Sequence, residues 1–258
     1  MSGASHLMSR AGTARGTMRI ATWNCNMAFR WKFPALLALE PDLAVIQECE
    51  AAEFFAAEAT LKPRSAIWIG DNPRKGLGVF TFGAFRARRD RCYRPDIPYI
   101  LPLRIGGPVE LRLLAVWACH HKPNSCENRI GPLRRALRDY ADFCAASPVI
   151  VAGDFNNSVY WDRPSHPNNH AAAVADLHRL GLASAYHVAR GVAQGAEPEP
   201  TLYWRDRRRD GPVYHIDYCF VPRRWAARLA RVVVGGFDEW VGAGLSDHVP
   251  LLVELAHP

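Results

Sequence analysis

Short apolar runs that end abruptly in polar residues recur along this chain. The run Val149–Ala152 is apolar and mostly β-branched, and the sequence Gly-Asp-Phe-Asn follows it over residues 153–156. An uninterrupted run of this kind is typical of a strand buried on both faces. Alternation along an extended chain directs Asp154 and Asn156 to one side and Phe155 to the other. The pattern therefore predicts a buried strand that ends in a carboxylate and an amide.

The same reading predicts an arrangement of many strands and few helices. Strands are expected at Met18–Asn24, Leu43–Glu48, Ser65–Ile69, Gly76–Phe82, Leu111–Cys119, Tyr214–Pro222, Arg231–Val234 and Ser246–Glu254, with a further one near Val109–Leu111. Helical spacing of apolar residues predicts helices over 31–39, 51–61 and 169–180, and one helix face formed by Leu133, Leu137, Tyr140 and Cys144. We therefore expect two facing sheets with helices outside.

The domain organisation follows from length and composition. Residues 1–17 are rich in Ser, Gly, Ala and Arg and lack an apolar centre, so we expect a disordered leader and one domain over residues 18–258. No apolar stretch approaches the ~20 residues that a membrane-spanning helix needs. From these features we expect a monomeric cytoplasmic protein with no membrane span.

Charge and cysteine content narrow the classes of partner and site. The formal net charge of +7 is compatible with a polyanionic partner. The seven cysteines are scattered without a CxxC pair, which favours free buried thiols over a disulfide framework or a zinc site. The chain also has no GxxxxGK[ST], GxSxG or HExxH motif, which argues against a nucleotide triphosphatase, a serine hydrolase and a zinc protease.

Several polar residues adjoin strand-like runs in the manner of Asp154. An isolated Gly-Asp-x-Asn is also typical of a solvated Asx turn, so the number of such residues carries the argument. The set consists of Asn24, Glu48, Asp154 with Asn156, Asp217, and Asp247 with His248. Strand ends that meet at one edge can assemble a site from distant parts of a sequence. Its oxygen-rich chemistry suits Mg²⁺ or Mn²⁺ better than zinc.

The order of these motifs resembles the endonuclease/exonuclease/phosphatase superfamily. The motifs are Asn24, Gln47-Glu48, Gly153-Asp154-Phe155-Asn156, Ile216-Asp217-Tyr218 and Ser246-Asp247-His248, and the resemblance extends from Met18 to Leu255. It implies an α/β fold, namely a four-layered α/β sandwich of two facing mixed β-sheets flanked by helices. It also implies a phosphoesterase site at one edge of the two sheets.

The resemblance implies a role for each of the polar residues. Glu48 is similar to the family's principal metal-binding carboxylate, with Asn24 and Asp247 close to a Mg²⁺ or Mn²⁺ ion. Asp154 resembles the acid that orients or deprotonates the attacking water, or protonates the leaving oxygen.

The remaining roles concern the scissile phosphate. Asn156 resembles the amide that holds a phosphate oxygen. His248 is expected to contact the phosphate, with Asp217 bound to its other ring nitrogen. A carboxylate partner fixes the tautomer of a histidine and stabilises the imidazolium, so this pairing is physically sensible.

Three groups of residues are further candidates for contact with the substrate. Relatives place a His or Tyr at the end of the middle strand, where His120 is the favoured candidate and Trp117 the alternative, because a one-residue slip in register exchanges the faces. Trp204 and Arg205 belong to an aromatic and basic segment that can stack on bases, although charged segments are usually solvated. Trp161 and Trp240 are further candidates for lining a substrate cleft.

These observations predict a Mg²⁺-dependent phosphodiesterase whose substrate is DNA, acting as an exonuclease or an abasic-site endonuclease. One alternative is a phosphatase or phosphodiesterase for lipid, inositol or small nucleotide substrates, because only recognition loops would distinguish it. A second alternative is a catalytically silent nucleic-acid-binding module on the same fold. The intact set of carboxylates argues against it, since like charges are costly to hold together.

Overall fold

Two β-sheets pack face to face, and helices cover their outer sides. The computed structural model describes residues 16–55, 60–119, 130–146, 148–204 and 208–257. The first eight strands are β1 Thr17–Asn24, β2 Leu43–Cys49, β3 Ser65–Asn72, β4 Lys75–Thr81, β5 Arg86–Arg89, β6 Ile100–Gly106, β7 Leu111–Trp117 and β8 Val149–Asp154. They are followed by β9 Leu182–Ser184, β10 Leu202–Tyr203, β11 Val213–Tyr214, β12 Asp217–Pro222, β13 Leu229–Val234 and β14 Leu251–Ala256.

The helices are short. The α-helices are α1 Phe29–Ala38, α2 Leu133–Asp139, α3 Ala141–Ala145, α4 His170–Arg179 and α5 Ala185–Arg190. Single 3₁₀ turns lie at Ala52–Phe54 and Val159–Trp161, a longer 3₁₀ segment at Arg223–Arg228, and a π-helical turn at Asp238–Gly242.

Each sheet combines antiparallel pairs with one central parallel pair. Within the described residues the strand order is β13-β14-β1-β2-β4-β3 in the first sheet and β5-β6-β7-β8-β12-β9 in the second. The parallel pairs are β1 with β2 and β7 with β8. The carboxyl ends of the two strands in each parallel pair therefore lie at the same edge of their sheet.

Three apolar clusters account for the layers. The largest lies between the sheets and includes Leu43, Val45, Leu113 and Ile150. A second joins the outer face of the second sheet to α2, α3 and α4, and a third joins the outer face of the first sheet to α1. Helix, sheet, sheet and helix thus form four layers, which confirms the predicted four-layered α/β sandwich.

Two strands of four or more residues, β5 and β6, were not predicted, and neither were the short strands β9 and β10. β5 consists of three arginines and one alanine and forms the edge of its sheet, where solvent reaches the charged side chains. β6 contains Pro102, a residue that normally argues against a strand. Neither segment has an apolar alternation that sequence reasoning could detect, and the strand expected near Val109–Leu111 is the start of β7.

The boundaries of several predicted elements also differ. The single helix face expected over Leu133–Cys144 is divided at Tyr140 into α2 and α3. The helix expected over 51–61 is wrong at its start, where only the 3₁₀ turn Ala52–Phe54 forms, and residues 56–59 lie outside the described part of the chain. The last strand starts at Leu251 instead of Ser246, and a break at His215–Ile216 separates β11 from β12.

Other expectations about the chain can be compared with the described residues. The six cysteines that the structure describes are all free, as predicted, and Cys126 lies outside the described part. The leader expected over 1–17 also lies outside it, apart from Gly16 and Thr17, and Thr17 opens β1. Among the described helices, none combines the length and the apolar character needed to cross a bilayer.

Gly153 determines how closely β8 approaches β7. It pairs with Val116, adopts φ +151°, and an added Cβ would lie 1.8 Å from the Val116 carbonyl oxygen. Only glycine tolerates both the backbone angle and the approach. The next residue, Asp154, accepts a backbone hydrogen bond of 2.8 Å from the Ala118 N–H. Gly153 therefore fixes the position of Asp154 relative to β7.

We expect Gly153→Ala to destabilise the protein by at least about 2 kcal/mol, because the methyl group forces β8 away from β7 and the backbone is strained. The measurement is the urea midpoint of unfolding. Gly106→Ala is the matched control, since a Cβ there meets no atom within 4 Å. Equal midpoint shifts in the two variants would contradict this account of Gly153.

Candidate active site

Polar side chains from both sheets meet at one edge of the sandwich. Asn24 at the end of β1 pairs with Gln47 on β2, while Trp117 at the end of β7 pairs with Asp154 on β8. Asp217 at the start of β12 pairs with the other side of Asp154. The parallel pairs thus bring four strand ends to this edge, and the antiparallel β12 adds its first residue.

Asp154 is the buried centre of this arrangement. Its side chain accepts hydrogen bonds from the Asn24 amide (3.0 Å), the Asn156 backbone N–H (2.7 Å) and the Asn156 amide (3.0 Å). Asn156 adopts φ +48°, which turns its backbone N–H and its side chain towards the same carboxylate. Because Asn24 belongs to the first sheet and Asp154 to the second, the hydrogen bond between their side chains also joins the two sheets.

Asp217 and His248 form a buried pair beside Asp154. The distance from His248 Nδ1 to Asp217 Oδ2 is 2.8 Å. The backbone N–H of Asp217 donates to the Thr201 hydroxyl, and the carbonyl of His248 accepts from the Trp23 indole. Both partners are therefore held by their backbones as well as by each other, and the imidazole has one fixed orientation.

The side chains of Asp154, Asp217 and His248 are close enough to interact electrostatically. One potential ligand atom from each of Asp154, Asp217 and His248 lies within 4.8 Å of the others. Burial and the charge of Asp217 raise the pKa of Asp154 to about 7, against the lowering effect of His248. Burial alone would lower the pKa of His248, but the charge and hydrogen bond of Asp217 raise it to about 10. His248 is consequently an imidazolium near neutral pH, and Asp154 exchanges a proton there.

A second group of hydrogen bonds positions Asp247. Asp247 Oδ1 accepts from the Asn26 amide at 2.9 Å, and the Asn26 backbone N–H donates to Asn24 Oδ1 at 3.0 Å. Ser246 donates to the Asn24 carbonyl at 2.7 Å and accepts from the His248 N–H at 3.1 Å. Sequence reasoning missed Asn26, whose only signal was its place two residues after Asn24 at the end of a strand.

Glu48 lies at the same edge, on the first sheet. A register shift between Gln47 and Cys49 interrupts the pairing of β2 with β4, and Glu48 adopts φ +55° at that point. Its Oε2 lies 3.1 Å from the ammonium of Lys75. The neighbouring Gln47 amide donates across to the Val116 carbonyl of the second sheet at 3.3 Å.

The donor chemistry fits a hard divalent cation. Carboxylate and amide oxygens from Glu48, Asp247 and Asn24 surround this edge, and hard cations prefer such ligands. Asp217 Oδ1 is buried and has no hydrogen-bond partner among the described residues. The tight group of possible ligands contains Asp154, Asp217 and His248, whereas the sequence predicted Glu48, Asn24 and Asp247 as metal ligands. The ligand set therefore stays a prediction.

Trp117 and His120 are the two candidates for the middle-strand position. Trp117 is buried in the core between the sheets, with its ring centroid 4.6 Å from that of Tyr99. His120 lies outside the described residues, as does Arg205. The roles predicted for His120 and Arg205 therefore stay predictions.

Four aromatic residues form a cluster near the site. The ring of Tyr214 lies 4.4 Å from that of Trp161, 5.8 Å from Tyr160 and 6.1 Å from Trp204, measured between centroids. Tyr160 and Trp204 are 74% and 42% exposed. A groove of about 410 Å³ lies beside the cluster, lined in part by Ser158, Tyr160, Tyr214 and His215. Sequence reasoning proposed Trp161 and Trp204 but missed the two tyrosines.

Trp240 does not belong to this cluster. It is buried against Trp23, with ring centroids 4.9 Å apart in an edge-to-face arrangement. The expectation that Trp240 lines a cleft is therefore wrong, because the π-helical turn at Asp238–Gly242 directs its ring into the core.

The chain is similar to known proteins in sequence and in fold. The model of the endonuclease/exonuclease/phosphatase family matches residues 21–248. An AP endonuclease from Leishmania major has a similar structure, with a TM-score of 0.69 and 15% identity over 94% of this chain and 88% of that one. A 3'-5' exonuclease from Neisseria meningitidis has a TM-score of 0.65 and 17% identity over 92% and 99% of the two chains.

A third similar structure is a humanised TDP2 from D. rerio, with a TM-score of 0.63 and 17% identity over 93% of this chain and 99% of that one. No curated protein sequence matches the chain. At these identities the solved structures establish the likeness of fold.

We expect Asp217→Asn to lower the pKa of His248 by at least about 2, because burial then acts without the opposing carboxylate. An NMR titration of the histidine ring in the metal-free protein measures it. The pKa of His248 in the folded protein lies above its unfolded value of about 6.5. The stability that the pair contributes is therefore complete below pH 6.5 and is lost as pH rises through about 10.

The control for this titration is Asp142→Asn, a change at an exposed helix residue. If His248 titrates at the same pH in Asp217→Asn as in the wild type, Asp217 does not govern the charge of the imidazole.

Proposed function

Since the chain belongs to the endonuclease/exonuclease/phosphatase family, we propose that it is a divalent-metal-dependent phosphodiesterase that hydrolyses DNA by in-line attack of water. Action as an exonuclease or an abasic-site endonuclease is the specific form of the proposal. The observation that carries it is the buried arrangement of Asp154 beside the Asp217–His248 pair. This places a proton acceptor and a cation side by side, which hydrolysis of a phosphodiester requires.

The residues proposed to hold a divalent ion lie on the Glu48 side of the site. Glu48, Asn24 and Asp247 would hold Mg²⁺ or Mn²⁺, which when bound neutralises phosphoryl charge and helps to activate water. Asn26 holds Asp247 through its amide and Asn24 through its backbone N–H. These bonds keep two of the three candidate ligands in place before substrate arrives.

Asp154 is the proposed acid–base group. The water oxygen attacks phosphorus while its proton passes to an Asp154 oxygen. The bond from phosphorus to the leaving oxygen breaks, and the leaving oxygen takes up a proton from solvent. A carboxyl with a pKa of about 7 can accept that proton and later release it at neutral pH. The amides of Asn24 and Asn156 fix the carboxylate so that the accepting oxygen stays in position.

His248 and Asn156 are the proposed contacts for the phosphate. The imidazolium donates a charge-assisted hydrogen bond to a phosphate oxygen, and Asp217 preserves its charge. Negative charge on the oxygens of the five-coordinate phosphorus increases in the transition state, so a preorganised cation stabilises the transition state more than the ground state.

The aromatic cluster favours nucleic acid over a lipid or inositol substrate. Exposed rings such as Tyr160 and Trp204 provide surfaces on which bases stack. Trp204 follows Tyr203, whose backbone N–H donates to the Asp247 carbonyl, so the ring is close to the proposed chemistry. The net charge of +7 acts in the same direction. A Neisseria 3' phosphatase of similar fold has been solved with a product DNA hairpin.

We expect Asp154→Asn, Glu48→Gln and His248→Ala each to reduce Mg²⁺-dependent cleavage of DNA by at least about 10³-fold, since each removes a group that acts on the transition state. Single-turnover rates on single-stranded, duplex and abasic DNA give the measurement. His178→Ala, an exposed histidine on α4, is the matched control and should keep wild-type rates.

If the wild-type protein cleaves no phosphoester with Mg²⁺ or Mn²⁺, the proposed activity is wrong. Binding of DNA without turnover would instead identify a catalytically silent module. Cleavage of inositol or lipid phosphates with an affinity that is insensitive to salt would favour the small-substrate alternative.

We expect Trp204→Ala and Tyr160→Ala to raise KM for single-stranded DNA by about tenfold, because stacking on one base contributes about 1–3 kcal/mol. Hydrolysis of a small phosphodiester without aromatic groups, such as a dimer of abasic deoxyribose phosphate, should not change, since it has no base to stack. Trp204→Phe retains a ring and serves as the control. A parallel loss on the small substrate would mean that the ring supports the fold of the site.

A further inference from the structure

The hairpin formed by β3 and β4 brings Lys75 into contact with Glu48, a proposed metal ligand. The ammonium of Lys75 lies 3.1 Å from Glu48 Oε2. The Lys75 side chain is 38% exposed and that of Glu48 is 18% exposed, so the pair faces the open side of the site. An ammonium has three N–H donors, and Glu48 takes one of them.

Several contacts hold the hairpin in this position. The backbone N–H of Ala51 donates to the Pro73 carbonyl at 2.7 Å, and the Trp68 indole donates to the Cys49 carbonyl at 3.0 Å. The Trp68 ring covers Gly76 so closely that a Cβ there would lie 2.3 Å from it. The backbone of Lys75 is therefore fixed beside the residues that follow Glu48, while its long side chain can still move.

The surroundings of the ammonium are those of the active site. It lies 5.6 Å from the centroid of the Trp117 ring, at the end of β7. Burial raises the pKa of the neighbouring Cys119 thiol, which Lys75 lowers and Asp154 and Glu48 raise. The charges of the lysine and of both carboxylates therefore all act on this one thiol.

A purely structural ion pair does not account for this arrangement. Partly exposed pairs of this kind contribute about 0–1 kcal/mol to stability. Glu48 nevertheless sits at a break in strand pairing with φ +55°, a conformation that a non-glycine residue adopts at a cost. Such strain is typical of functional positions.

We propose that Lys75 is a further substrate-binding residue, an inference that rests on the proposed function. Its ammonium would share Glu48 with the divalent ion and contact a substrate phosphate oxygen. The ammonium and the ion repel each other across one carboxylate, so Lys75 weakens metal binding in the absence of substrate. When an anionic phosphate is present, the ammonium binds it and the repulsion is offset.

This account requires two shifts of opposite sign when the charge is removed. Lys75→Met has nearly the same length but no charge. The dissociation constant of Lys75→Met for Mn²⁺ should fall about tenfold in the substrate-free protein, since a positive charge in contact with the same carboxylate is removed. Its KM for a DNA oligonucleotide should rise about tenfold, because one charge-assisted hydrogen bond to phosphate is lost. A residue with only a structural role would not produce opposite shifts.

The metal shift is measured by isothermal titration calorimetry with Mn²⁺ alone, and the substrate shift by steady-state kinetics at saturating Mn²⁺. Lys75→Arg should restore both values towards the wild type. Lys62→Met is the matched control, since Lys62 is exposed in the segment before β3 and should change neither value. Thermal unfolding of each variant confirms that it is folded.

Unchanged or weaker Mn²⁺ binding in Lys75→Met overturns the proposal, and so does an unchanged KM. If the wild-type protein has no phosphodiesterase activity, the proposed function fails on its own. The calorimetric result still decides whether Lys75 competes with the ion for Glu48.

Discussion

The structure depends on the burial of one carboxylate. Asp154 has no access to solvent and lies where the two sheets meet. Removing the charge of Asp154 from water is costly, and the cost is only partly offset by the Asn24 and Asn156 amides and by the nearby imidazolium. Asn24 is on the opposite sheet, so this carboxylate acquires its donors only when the two sheets have packed. Assembly of the site and assembly of the sandwich are therefore the same event.

The interface between the two sheets changes from apolar to polar towards the site. Away from the site it is apolar, with residues such as Val45 and Leu113 in contact. At the site edge it becomes polar, where Gln47 bridges to the Val116 carbonyl and its Oε1 has no partner among the described residues. Apolar packing tolerates small displacements, whereas hydrogen bonds between sheets fix them. The polar edge therefore determines the relative position of Glu48 and Asp154.

The sequence predicted the central strands and their terminal side chains, because a β-branched run that ends in Asp154 or Glu48 carries its own signal. It could not reveal β5, whose arginines are tolerated at the edge of the sheet, or β6, whose pattern is interrupted by Pro102. Nor could it reveal Asn26, Tyr160, Tyr214 or Lys75. Their contribution arises from loops and a hairpin that bring them to the site, and nothing in the local pattern distinguishes them from surface residues.

Chemistry and substrate choice have separate structural bases in this molecule. The proposed acid–base centre is buried and held by several hydrogen bonds, so few substitutions around it would leave it intact. The aromatic cluster and Lys75 instead lie on turns, a short strand and a hairpin, where their side chains are at least partly exposed. A fold shared at 15–17% identity with an AP endonuclease and an exonuclease fits this division. Substrate identity should therefore be sought in the residues around the groove beside Tyr214, because the buried centre would be the same for any phosphodiester.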